Sequence, residues 1–160
     1  MDKQRGGILG VGVDLIEVNR IRKAHRRWGD QFLRRIFTEE EVRHCFSRID
    51  PYQSLAARFA GKEAAAKALS SGFGAQLSFR SIAIVSKKNG APQVILEETK
   101  SVLLLGKKLL VSLSHTAKFA LAQVVLCGSL PSDQTDDRIP MEGVSQPLTN
   151  SDNPNFLTKN

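Results

Sequence analysis

The apolar positions of this chain change period several times, and each change marks an element. Ile8 to Leu15 (Ile-Leu-Gly-Val-Gly-Val-Asp-Leu) is a nearly continuous apolar run that predicts a short, largely buried β-strand, with Gly10 and Gly12 placed where another backbone can come close. From about Glu17 to Trp28, Ile16, Ile21, Ala24 and Trp28 recur among arginines, which predicts a helix with a basic face, broken at Gly29-Asp30. Thr38 opens Thr-Glu-Glu-Glu, a capping-box pattern, and starts a short helix through Val42, Cys45 and Phe46. Pro51 begins a long helix whose core, Arg58 to Leu69, is rich in Ala, Lys, Glu and Leu, residues that lose little freedom in a helix. The run Ser70-Ser71-Gly72-Phe73-Gly74 stops it.

The second half reads mostly as strands. Ile82 to Ser86 alternates, Lys88-Asn89-Gly90 is a hairpin turn, and Gln93 to Leu96 returns. Glu97 to Leu105 predicts a short helix closed by Gly106. Leu109 to Ser114 and Phe119 to Leu126 are the clearest strands, joined by His115-Thr116-Ala117-Lys118. Past Gly128 the residues are polar, with scattered apolars and no period, which predicts a disordered acidic tail over 129–160 behind a single domain over 1–128. Helices and strands in this order predict an α+β fold, a small antiparallel sheet with a long central helix.

Charge sharpens the picture. The net charge is +7, but residues 129–160 hold five acids against Arg138 and Lys159, so residues 1–128 carry +10. Seven cations stand against Asp30 alone between residues 20 and 35. A basic domain calls for an anionic partner: nucleic acid, a phosphorylated small molecule, an acidic protein or a membrane surface. Arg20, Lys23 and Arg27 read as a docking surface for an acidic protein, and the plain alternative is a solvated face. Cys45 and Cys127 have neither ligand spacing nor a disulfide framework, which fits two free thiols in a reducing cytoplasm. The chain opens on no signal-peptide pattern, and no apolar stretch nears the length of a membrane span, so a soluble protein is expected.

Two acids are anomalies. Asp14 sits inside an apolar run, where a carboxylate needs a cation, a metal or several N–H donors, or else caps the helix that follows. Glu63 stands between Lys62 and Lys67 on the long helix; at 100° per residue Glu63 and Lys67 share one row, Arg58 and Lys62 the next, and Ala57, Ala60, Ala64 and Ala68 form a smooth face. An ordinary solvated helix with a Glu–Lys pair is the plain reading of that segment. His115 at a strand end could reach a phosphate or a substrate hydroxyl, although a hydrogen-bonded structural histidine is commoner.

Three motifs, Gly-Val-Gly-Val-Asp-Leu-Ile-Glu-Val, Arg-Phe-Ala-Gly-Lys-Glu-Ala-Ala-Ala-Lys-Ala and Ser-Leu-Ser-His-Thr, stand in an order and spacing that resembles the holo-acyl-carrier-protein synthases, the short 4′-phosphopantetheinyl transferases, from about Ile8 to Leu126. The resemblance implies transfer of 4′-phosphopantetheine from coenzyme A to a serine of apo acyl carrier protein, in support of fatty acid biosynthesis, with magnesium required and adenosine 3′,5′-bisphosphate released. It implies that Asp14 and Glu63 bind the metal, that Arg58, Lys62 and Lys67 sit at the phosphates, and that His115 and the Asn89-Gly90-x-Pro92 turn lie near the nucleotide. It makes Arg20 the head of the carrier-docking helix and implies a homotrimer with sites shared between subunits. The first candidate base for the carrier serine is Glu63, directly or through a metal-bound water, and the second is His115, while Lys67 would stabilise charge on the transferring group and the leaving phosphate. A tail past Gly128 is longer than that family carries. A basic nucleic-acid-binding module is the rival reading, disfavoured by the low aromatic content; a metal-dependent enzyme on another nucleotide is a second.

Overall fold

A computed structural model describes residues 7–74 and 77–128, so the tail expected over 129–160 lies outside the described residues. Strand β1 (Ile8–Glu17) leads into helices α1 (Val18–Ile36), α2 (Glu39–Phe46) and α3 (Pro51–Ala68), followed by strands β2 (Ile82–Ser86), β3 (Pro92–Leu96), β4 (Lys107–His115) and β5 (Phe119–Gly128). The α+β expectation holds, with the strands divided between a three-stranded antiparallel sheet of order β1-β5-β4 and a separate β2–β3 hairpin.

Helix α3 is central because it is buried nearly all round: Leu55, Ala56, Ala57, Ala60, Ala64, Ala65, Ala66 and Ala68 are all inside. That overturns the solvated-helix reading. Asp50 caps it, its Oδ1 accepting from Tyr52 N at 3.0 Å, and Pro51 takes the first turn, where a missing N–H costs nothing. Its alanine face meets β1, where the two glycines matter. A Cβ at Gly12 would strike the carbonyl of Ala64, and one at Gly10 that of Ala68, so strand and helix touch backbone to backbone.

Alternation then sorts the sheet. Gly12 and Ile16 of β1, and Ala120, Ala122, Val124 and Leu126 of β5, face α3 and are buried. The opposite face shows Leu9, Val11, Val13, Leu15, Leu110, Phe119 and Leu121 to solvent, a contiguous apolar surface unlike that of a monomer.

Helix α1 breaks at Gly29 (φ 55°, ψ −144°), as the Gly29-Asp30 break predicts, and a second helical stretch that the apolar pattern did not announce continues to Ile36, with Leu33 and Ile36 buried against the core. Residues 98–104 form the short helix expected there, as a 3-10 segment, with no buried side chain to sustain a longer α-helix. The hairpin turn is as expected: Gly90 takes φ 84°, its N–H donates to Lys87 O at 2.9 Å, and Asn89 Oδ1 accepts from Ala91 N at 3.1 Å.

Candidate active site

Asp14 is directed toward α3 by the same alternation that buries Gly12 and Ile16, and its side chain keeps only 18% of its exposure. It does not cap α1, whose N-cap is Glu17 with no side-chain bond. Its partner is Lys67, whose Nζ lies 2.8 Å from Asp14 Oδ1 and donates to Val13 O at 2.8 Å. One turn earlier on the same row stands Glu63. Burial pushes the Glu63 carboxyl above its usual range, the neighbouring Asp14 charge pushes it further, and Lys67 opposes both. Two carboxylates are thus near enough across the β1–α3 contact to feel each other's charge, with the Lys67 ammonium bonded to Asp14. That donor set, hard oxygens in charge excess, fits a magnesium ion that completes its shell with phosphate oxygens and water. Among the described residues no group of three or more His, Cys, Asp and Glu side chains could hold a metal, which leaves Asp14 and Glu63 as a candidate pair.

A second group of predicted residues meets elsewhere. Arg58, Gly90, Pro92 and His115 line a cavity of about 680 Å³ between α3, the hairpin and the end of β4. His44, Arg48 and Asp50 join them. Arg58 is buried, its Nη1 donating to Ser54 Oγ at 2.7 Å while its Nε has no partner. Burial and the charges of Arg58 and Arg48 lower the His44 pKa, which favours the neutral ring. Asp14, Glu63 and Lys67 are not among the lining residues of this cavity, so one chain carries two half-sites rather than one closed site.

Lys62 belongs to neither, and its expected place at the phosphates is corrected. Its Nζ is wholly buried, 2.8 Å from Glu41 Oε2, and donates to Phe79 O at 2.9 Å and Ile82 O at 2.6 Å. All three donors are used, and none is left for a ligand. Asn89 serves the turn that carries Gly90, and it does not itself line the cavity.

On α1 the side chains of Arg20, Lys23 and Arg27 are exposed on one helical face, Arg27 resting over the Trp28 ring at 5.1 Å. Arg22 is spent otherwise: it pairs with Asp50 at 2.9 Å and lies over the Tyr52 ring at 4.7 Å, tying α1 to the start of α3. Residue patterns could not have placed His44 and Arg48 in the cavity, because they reach it only once α2 packs beside α3. The Glu41–Lys62 pair did leave a trace, since Glu41 is the fourth residue of the Thr38 capping box.

Comparison with known proteins decides the lineage. Residues 10–124 match the family described as the 4′-phosphopantetheinyl transferase superfamily. The chain is 46% identical over 118 residues to the holo-[acyl-carrier-protein] synthase of Chlamydia muridarum, covering 74% of this chain and 94% of that one. This chain belongs to the holo-[acyl-carrier-protein] synthase family. Among solved structures it resembles the synthase of Helicobacter pylori in complex with coenzyme A, at 36% identity and a TM-score of 0.67, over 72% of this chain and 98% of that one. It likewise resembles the Neisseria meningitidis synthase, at 34% identity and a TM-score of 0.70, over 75% and 98% of the two chains. Among the described residues no helix is long and apolar enough to cross a membrane.

Proposed function

We propose that this chain transfers 4′-phosphopantetheine from coenzyme A to a serine of apo acyl carrier protein, in a magnesium-dependent reaction in the cytoplasm that supports fatty acid biosynthesis. The observation that carries the reading is the meeting of Asp14, Glu63 and Lys67 across the β1–α3 contact. The coenzyme A complex of the Helicobacter pylori relative supports the donor. The test is incubation with coenzyme A, magnesium and apo carrier protein, followed by the mass of the carrier; no gain on its serine ends the proposal, and tight binding of random duplex DNA at physiological salt would favour the nucleic-acid module.

In the reaction the serine Oγ attacks the phosphorus that bears the pantetheine arm, one P–O bond forms, and the bond to the 5′-phosphate of the nucleotide breaks. Magnesium, when bound between Asp14 and Glu63, would supply charge neutralisation at the diphosphate. Glu63 takes the serine proton, a role suited to a carboxylate whose basicity is raised by burial and by Asp14. Lys67 holds Asp14 in place and puts its charge beside the transferring group. Arg58 and His115 hold the nucleotide phosphates in the cavity, with Gly90 and Pro92 as its wall. The two half-sites are joined if the chains associate through the apolar face of the sheet, one supplying the acid pair and its neighbour the cavity. A homotrimer of that kind is the assembly proposed.

Three predictions belong to these elements. The folded Glu63 pKa lies above its unfolded value, so its contribution to stability is present at pH below the unfolded pKa and lost as pH rises through the folded one. Metal-free protein should therefore melt at higher temperature on mild acidification from neutral pH, and a Glu63→Gln variant should lose that gain. Magnesium at neutral pH should raise Tm by a few degrees, in line with the ~2.7 kcal/mol that a hundredfold excess over Kd provides. A Tm indifferent to millimolar magnesium would count against the acid pair as its site. On α1, Arg20→Ala should raise KM for carrier protein about tenfold with that for coenzyme A unmoved, and should weaken the salt dependence of the encounter. Equal movement of both constants would displace the docking site from α1.

A further inference from the structure

A two-stranded ribbon is marginal alone, yet the β2–β3 hairpin brings Ser86, Gly90 and Pro92 to the cavity wall. Among the described residues strand β2 pairs with β3 only, so its other edge must find partners for its main-chain groups. On that edge Ile84 N donates to Glu41 Oε1 at 2.9 Å, and Ile82 O accepts from Lys62 Nζ at 2.6 Å. An N–H and a C=O two residues apart on one side of a strand are the groups a neighbouring strand would engage. The ion pair stands in for that strand.

The pair reaches further. Glu41 Oε2 accepts from Thr38 N at 2.8 Å, and Lys62 Nζ also bonds Phe79 O, so the start of α2, the middle of α3 and both ends of the 79–84 segment converge on two side chains with 0% exposure. Apolar residues of the same size would avoid the desolvation of two charges, but they could not satisfy Ile84 N and Ile82 O. Lys62 lies one turn beyond Arg58 on α3, so its bonds fix the hairpin relative to the guanidinium across the cavity. We propose that Glu41 and Lys62 are positioning residues for the donor substrate: together they set the wall of the Arg58–His115 cavity and hence its affinity for coenzyme A. This rests on the reading of that cavity as the coenzyme A site.

The test is initial-rate kinetics on Glu41→Gln and Lys62→Met beside the wild type, with coenzyme A and carrier protein varied separately, and amide hydrogen exchange on the same proteins. KM for coenzyme A should rise about tenfold in Lys62→Met and about threefold in Glu41→Gln, with kcat held within about twofold and KM for carrier protein unmoved. Exchange at Ile84 and through the hairpin should quicken. Glu41→Gln keeps an oxygen for Ile84 N but turns its amide NH2 on Thr38 N and Lys62 Nζ, so if a single variant does not fold, the double variant Glu41→Gln with Lys62→Met, which leaves no buried charge unpaired, decides the matter by the same KM for coenzyme A. A fall in kcat at constant KM would return Lys62 to the reacting phosphates and overturn the proposal. A lower Tm with every kinetic constant unchanged would overturn it as well, leaving the pair to stability alone. A wild type that transfers nothing would refute the coenzyme A reading instead.

Discussion

Asp14→Asn is expected to lower kcat about 10²–10³-fold, the scale of losing one preorganised charge at a reacting phosphate, while leaving the fold intact. The expectation of an intact fold comes from the geometry. Asparagine has the volume of aspartate, and its Oδ1 can still accept from Lys67 Nζ, now 2.8 Å away. What is lost is one of the two negative charges that would attract a divalent ion, and with it the repulsion that adds to burial in raising the Glu63 carboxyl. The magnesium concentration for half-maximal rate should therefore rise together with the loss in kcat, and circular dichroism and Tm without metal should stay near wild type. Near-normal turnover at low magnesium would remove Asp14 from the metal.

Leu121→Glu should have an effect of comparable size from outside the site. Leu121 is exposed in the single chain, on the face of the sheet turned away from α3, among Val11, Val13, Leu15 and Phe119. A carboxylate there costs the isolated fold little, because surface substitutions fall within about 0.5 kcal/mol. In an interface between copies the same carboxylate would be buried without a partner, which association does not survive. The variant should run as a folded monomer in light scattering and lose at least about 10²-fold in activity, since the acid pair and the cavity of one chain do not close on each other. A fully active monomer would show that one chain suffices.

The elements themselves were legible in the residues because each depends on local physics: the strand runs on apolar content, α2 on its capping box, the turn at Asn89-Gly90 on a positive φ. The acid pair was legible too, though its spatial meeting came from family resemblance and not from spacing. What escaped was everything set by packing. Lys62 looks like Lys67 in the sequence, two cations flanking one acid on a helix expected to be partly wet. Only the burial of α3 on all sides turns one inward to Glu41 and leaves the other at the surface. The helical stretch beyond the Gly29 break is hidden for the same reason, since only the burial of Leu33 and Ile36 marks it. The apolar outer face of the sheet is spelled in alternate residues of β1, but those residues read equally well as core.

Where Gly12 lies against the carbonyl of Ala64, strand and helix meet with no side chain between them, two residues before Asp14 and one after Glu63. The separation of the strand and the helix that carry the two acids is therefore gauged by main chain against main chain, leaving only the side-chain torsions of Asp14 and Glu63 to adjust what lies between them. Any bulkier residue at either glycine would have to move a whole strand, so the bare backbone there sets the distance over which the two acids can act together.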